Sequence, residues 1–502
     1  MKYIRTIITG LIIMVTAAGC GDSYLDTAPT GSVSAPTVYE NLSGLYRALN
    51  GIHRKMVSQD LANQGMGGEP GFMLSREAHG DDMTWSTQSW HQTHLTWAIN
   101  TNPSSSYNNG VWKTYYELIL NANKILEILD ANFSSPGETL PEHIAKQRDQ
   151  IKGESLAIRA WAHFQLVQYY AKRYDSLGEN SQPGVPYRES SAPTEMARNT
   201  VKDVYTKINR DLDAALLLLK DYKAPDINHY TPKAVYGLKA RVALTQQDYA
   251  KAAEYATQAI TLAEADGHRL MTPDELMHGF ANISTATKEA IYAALTRDDQ
   301  TVYFYSFYAY MSWNFNSTAV RTGIKCISQS TYDMMSAGDL RRQWWDPSGT
   351  AAVPASNYDK SPYQNRKFTA RSTANAVGDV AFMRLSELYL TAAEALARAG
   401  KEVDAKRYLH AFVTQRDPQY TGSQKTGNAL AEEIMTHRRI ELWGEGFRWF
   451  DLKRLNQPCE RKGNNFSETF CGFIIRAQDA DGWVYEIPKV ETDYNRLMTL
   501  NY

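Results

Sequence analysis

The chain has 502 residues, 43% of them hydrophobic and 22% charged, a composition that fits a folded globular protein and excludes a disordered or fibrous one. A formal charge of −2 excludes the strongly basic surface that nucleic-acid binding needs, and no Cys/His run has zinc-site spacing. The chain is rich in flat side chains, 31 Tyr beside 11 Trp, which stack on sugar faces or fill helical cores; composition does not choose between these.

Residues 1–19 read as an export signal. Lys2 and Arg5 give the positive start, Ile7 to Val15 the apolar run, and Ala17-Ala18-Gly19 the small residues that a signal peptidase requires. The run is too short for a bilayer span of about 20 residues. Cys20 follows immediately, as in a bacterial lipobox, with Ala17 where Leu is usual. Acyl chains on Cys20, at about 0.8 kcal/mol per buried CH₂, would hold the protein on a membrane. Residues 20–33, rich in Ser, Thr, Pro and Gly, read as the lipidated tether, and 34–502 as a single domain.

Apolar spacing predicts helices at Val38–Val57, Trp112–Leu129, Pro141–Tyr170, Val201–Leu219, Pro232–Thr245, Tyr249–Ala265, Met383–Ala399, Val403–Thr414 and Leu430–Trp443. The fold class predicted is all-α with little β structure. Two pairs carry the small-residue pattern of tetratricopeptide-like hairpins: Ala240, Ala243, Ala252, Ala256 and Ala259 in one, and Ala393, Leu396, Ala405, Leu409 and Phe412 in the other. Loop-rich insertions lie near 65–110 and 297–378, with a short strand predicted at Ala290–Leu295. The stretch His437–Asn456 (HRRIELWGEGFRWFDLKRLN) reads as a core helix kinked at Gly444 and Gly446, and Trp112, Trp161, Trp443 and Trp449 as core.

Catalytic constellations are thin. Asp81 and Asp82 are adjacent, and sequence neighbours point apart, whereas glycosidase carboxylates stand about 5–9.5 Å from each other. His437 and Glu441 have i,i+4 spacing but no HExxH, so a polar contact within the helix is expected. Gly65-Met66-Gly67-Gly68 lacks the strand-to-helix setting of a phosphate cradle and reads as a loop. No cofactor or metal is implied, and no catalytic residue is assigned. Carbohydrate recognition asks instead for aromatic faces edged by hydrogen-bonding groups. The first insertion offers Arg76, Asp81, Asp82, Trp85, Trp90, Trp97 and Asn100; the second offers Tyr303, Tyr305, Tyr308, Tyr310, Trp313 and Asn314. The same tyrosine run, at nearly alternate spacing, also reads as a half-buried strand with its rings in the core. Cys459 and Cys471, twelve apart, are candidates for a disulfide closing a small loop.

Four blocks in order carry a family resemblance: GESLAIRAWAHFQLVQYY (Gly153–Tyr170), RLSELYLTAAEALARAGK (Arg384–Lys401), the His437–Asn456 segment, and Tyr485-Glu486-Ile487-Pro488. With the N-terminus they span nearly the whole chain, which resembles the SusD/RagB family of lipid-anchored outer-membrane nutrient-binding proteins of Bacteroidetes. The resemblance implies an α-helical scaffold of hairpins with a glycan site on a loop-bearing face. It also implies no enzymatic activity, and a SusC-type TonB-dependent transporter as partner in nutrient uptake at the outer membrane, facing outside. Two other readings stay open: a RagB-like peptide-binding lid, and an all-α surface glycoside hydrolase.

Overall fold

The computed structural model describes residues 39–58, 67–85, 91–133, 140–297 and 306–502. The export signal, Cys20 and the tether therefore lie outside the described residues. Half of the described residues are helical and the sheets are small, in agreement with the predicted class. No described helix is long and apolar enough to cross a membrane. Contacts divide the chain into two units, Met1–Ala48 and Leu49–Tyr502. Asn41 Oδ1, in the first, accepts the Gly44 N–H at 2.9 Å and opens helix α1 (Leu42–Lys55), whose residues from Leu49 onward, His53 among them, belong to the second.

In the second unit the longer helices are α2 (Glu69–His79), α3 (Ser106–Asn132), α4 (Glu142–Tyr170), α5 (Val201–Leu219), α6 (Pro232–Thr245), α7 (Tyr249–Ala265), α8 (Leu385–Arg398), α9 (Glu402–Val413), α10 (Gly427–Glu441) and α11 (Arg448–Arg454). Side chains start several of them: Thr200 Oγ1 accepts the Asp203 N–H at the head of α5, and Asp248 Oδ1 that of Lys251 at the head of α7, both at 3.1 Å. From α3 to α7 each helix packs on the next. The ten hairpin residues from Ala240 to Phe412 named above are all buried. Small side chains let the paired axes approach, and α7 then lies against α8, so two hairpins far apart in sequence stack as neighbours.

The insertions supply strands. β1 (Met83–Trp85) pairs antiparallel with β3 (Lys325–Ile327), and β5 (Gln364–Asn365) and β4 (Trp345–Asp346) complete a sheet of order β1-β3-β5-β4. β2 (Ala290–Ala294), where a strand was predicted, pairs with β6 (Val380–Arg384).

Three expectations are corrected. The 65–110 region contains α2, which is buried along almost its whole length; a helix covered on all sides has no polar face to reveal its period. The His437–Asn456 block is two helices, because α10 ends at Glu441, Gly444 and Gly446 take φ of 81° and 79°, and α11 begins at Arg448. A Cβ on Gly446 would stand 2.8 Å from the Met73 Cα and carbonyl oxygen, so this turn accepts only glycine. Finally, Cys459 and Cys471 are free thiols, not a disulfide. Cys459 Sγ faces the His79 carbonyl at 3.6 Å, Cys471 Sγ lies 3.8 Å from Thr84 Oγ1, and Arg461 ties the stretch together by donating to the Cys471 carbonyl at 2.8 Å.

The charges of this block turn inward. Arg384 donates to Glu441 (3.0 Å), Glu445 (2.7 Å) and Glu289 (2.5 Å), and Lys367 to Glu445 (2.7 Å). Arg341 joins His437 and Glu441, bonding the imidazole Nδ1 at 2.9 Å and the carboxylate at 3.3 Å. Trp112, Trp161, Trp443 and Trp449 are buried as predicted.

Candidate functional site

The two insertions meet at the β1–β3 pairing, where Trp85 is opposite Lys325. The Lys325 ammonium stands 5.2 Å from the Trp85 ring and donates to the Ala319 (3.3 Å) and Gly323 (2.6 Å) carbonyls. Burial pulls its pKa down to about 7. His91 meets Tyr310 edge-on at 4.7 Å. Alongside, Trp313 donates its indole N–H to Thr369 Oγ1 at 2.9 Å, and the Arg366 guanidinium covers its ring at 4.3 Å. Arg366 Nε and Nη2 are buried without a hydrogen-bond partner among the described residues, with Asp346 4.0 Å away. Trp313, Tyr358, Asp359 and Gln364 line a cavity of 20 Å³, room for a single water.

Most of the candidate side chains serve the interior, which corrects their expected place on a ligand face. Trp85, Trp97, Tyr308 and Tyr310 are all buried. Tyr308 and Tyr310 belong to a helical turn, Phe307–Met311, so the strand reading placed their rings correctly in the core but not their backbone. Trp97 donates to the His79 carbonyl at 3.1 Å and meets Trp483 edge-on at 4.7 Å. The polar candidates are tied up as well. Arg76 pairs with Glu69 (2.6 Å), Asp81 with Arg448 (2.6 Å) and Asp82 with Arg439 (2.6 Å), while Asn100 Oδ1 meets His79 Nε2 at 2.7 Å. Asn314 closes on the Ala370 backbone, donating at 3.0 Å and accepting at 2.8 Å. Trp90, Tyr303 and Tyr305 lie outside the described residues. Among the described tryptophans, Trp313 is the one that is not buried.

Two features have no signal in the sequence because their parts are scattered along it. A cleft of 470 Å³ is lined by Tyr116 and Leu120 of α3, Arg188, Ser190–Glu195, Glu491 and Tyr494. Its Leu120 and Tyr494 are 37% and 81% exposed. A second cavity, of 320 Å³, is bordered by His53 and His229, which converge on Glu154.

Comparison with known proteins gives the same fold. The model described as "SusD family" matches residues 169–496, and one described as "Starch-binding associating with outer membrane" matches residues 57–244. The chain belongs to the SusD family. A curated SusD-like protein of Bacteroides ovatus is 24% identical, over 96% of this chain and 89% of that one. A solved structure described as a SusD-like carbohydrate binding protein of Bacteroides vulgatus superposes with a TM-score of 0.76, at 22% identity over 91% of this chain and 97% of that one. A SusD superfamily protein of Bacteroides thetaiotaomicron gives 0.77, at 21% identity over 92% of this chain and 100% of that one.

Proposed function

We propose that this SusD-family chain is a non-enzymatic glycan-binding lipoprotein. It is anchored through Cys20 at the outer membrane, faces outside, and delivers oligosaccharide to a SusC-type TonB-dependent transporter. Membership of the family supports this reading, as does the carbohydrate-binding description of the Bacteroides vulgatus relative. On the chain itself it rests on Trp313, the described tryptophan that is not buried. Its flat ring offers a stacking surface, and Arg366 and Asp359 beside it suit hydroxyl groups. A few stacked rings and edge hydrogen bonds give micromolar to millimolar affinity, roughly −4 to −8 kcal/mol. Such weak capture suits a protein that must release its cargo.

The test is titration of the chain beginning after Cys20 with a panel of oligosaccharides and oligopeptides, followed by tryptophan fluorescence and heat. Saturable glycan binding without product release supports the proposal. Binding of peptides alone replaces the ligand class, and liberation of shorter glycans makes the protein a hydrolase.

A further inference from the structure

Glu154, on α4, is a fully buried carboxylate whose single oxygen Oε2 is approached by three nitrogens. His53 Nε2 stands 3.2 Å away, His229 Nδ1 3.0 Å, and the Tyr230 backbone N–H 3.2 Å, whereas Oε1 accepts from Gln150 at 3.3 Å. The two histidine side chains are 8% and 5% exposed. Among the described residues, the groups that pair with this charge are the two imidazoles. A buried carboxylate demands a compensating cation.

The geometry points to a divalent transition-metal site, fitted to zinc, formed by His53 Nε2, His229 Nδ1 and Glu154 Oε2. Two imidazoles and a carboxylate are a donor set that zinc accepts, with an open fourth position left for solvent. Bonds of about 2.0–2.1 Å in a tetrahedron place ligand atoms roughly 3.3–3.4 Å apart. The nitrogens already stand 3.2 and 3.0 Å from Oε2, and all three ligand atoms lie within 4.8 Å of one another. Small shifts complete the set.

The surroundings are those of a ligand site. His53 Nδ1 lies 3.1 Å from the Tyr292 hydroxyl, which orients the ring with Nε2 toward Glu154. The Tyr230 N–H and Gln150 hold the carboxylate. The 320 Å³ cavity reaches both histidines, so an ion has an entry path and space for a bound water. Asn228, whose Oδ1 is buried without a hydrogen-bond partner among the described residues, lines the same cavity. Sequence spacing hides the site, because its ligands are about a hundred and about seventy-five residues apart. A bound ion would clamp the end of α1 and the segment before α6 onto α4.

The test uses the full-length, untagged protein in detergent, stripped with a chelator and titrated with Co²⁺ and then Zn²⁺. The expected result is one equivalent of Co²⁺ with the intense visible absorption of a tetrahedral site, displaced by Zn²⁺, together with a zinc-dependent rise in melting temperature. His53→Ala and His229→Ala should each weaken binding by more than the 10- to 100-fold that loss of an outer partner costs, and Tyr292→Phe by about 10-fold. Absence of binding overturns the site, as does binding unchanged in His53→Ala. That variant, at the end of a helix, decides the question alone if His229→Ala misfolds.

Discussion

Arg416 grips Glu441 along both edges: its Nε donates to Oε2 and its Nη2 to Oε1, each at 3.1 Å, and both side chains are wholly buried. Burial would push the Glu441 carboxyl up, but Arg416, Arg384 and Arg341 outweigh it and hold the group well below the usual range. Removing one member of such a cluster strands a buried charge. Glu441→Gln should therefore cost about 3–5 kcal/mol in chemical denaturation. Glu142→Gln, which breaks an exposed pair with Lys146, should leave the midpoint unmoved. Equal effects from the two would contradict the internal role of the block.

His163 spends both ring nitrogens as a neutral imidazole. Nδ1–H donates to the Arg159 carbonyl at 2.8 Å, Nε2 accepts the Arg188 N–H at 3.0 Å, and the ring stacks on Tyr187 at 3.8 Å. Burial pulls its pKa down to about 3, and in the same way that of His79 to about 4. A base whose folded pKa lies below its unfolded value of about 6.5 gives stability that is full above that value and lost as pH falls through the folded one. The melting temperature should therefore decline from pH 6.5 downward, with His163 alone accounting for about 3 kcal/mol by pH 4. The check is imidazole ¹⁵N NMR, in which the His163 signals should stay neutral at pH 5. Protonation near pH 6.5 would refute the account.

Glu77 runs the opposite way. Burial first, and then the Asp82 charge, push its carboxyl up to about 8, against the N–H that Gly446 donates at 3.0 Å. For an acid with a raised folded pKa, stability is full below the unfolded value of about 4.3 and is lost as pH rises through the folded one. Glu77→Gln keeps an acceptor for Gly446 and cannot ionise. Its melting temperature relative to the parent should improve between pH 5 and pH 8, by about 3 kcal/mol in stability. A difference independent of pH would show that Glu77 titrates normally.

The scaffold was legible because its signals are local. Ala240 to Ala259 and Ala393 to Phe412 announce close helix pairs through spacing alone, and they form them. The α2 helix was hidden because its polar residues are buried, Arg76 donating to the Gly446 carbonyl and Glu77 accepting the Gly446 N–H from a distant segment, leaving no polar stripe to mark its surface. The candidate site was legible as two regions and not as side chains. The regions do meet, at Trp85 and Lys325, but an aromatic flanked by polar residues looks the same whether it faces water or, like Trp97, packs against Trp483. Asp81 and Asp82 read as hydrogen-bonding groups for a sugar until Arg448 and Arg439, more than 350 positions away, are brought to them by the fold.

Cys459 and Cys471 settle a smaller question. Burial pushes the Cys459 thiol up to about 12, so it is protonated and shielded at neutral pH. In the chain beginning after Cys20, a thiol reagent should find no rapidly reacting group in native protein and three groups, including Cys326, once it is unfolded without reductant. Recovery of a single thiol would mean that the pair is oxidised after all.

Trp97 and Trp313 separate core from site in one comparison. Trp97 is 2% exposed, packs edge-on against Trp449, Phe473 and Trp483, and holds a left-handed backbone at φ 64°. Trp97→Ala should cost about 3–5 kcal/mol, read as a fall in the denaturation midpoint. Trp313 is only half-buried, and its partners Arg366 and Thr369 reach it from one neighbouring segment. Trp313→Ala should shift stability by about 1 kcal/mol or less while weakening glycan binding at least tenfold, about 1.4 kcal/mol. The two outcomes are independent, because a binding defect carried through misfolding would appear in Trp97→Ala first. If Trp313→Ala binds glycan as the parent does, ring stacking moves elsewhere, with Tyr116 and Tyr494 in the 470 Å³ cleft next to be substituted.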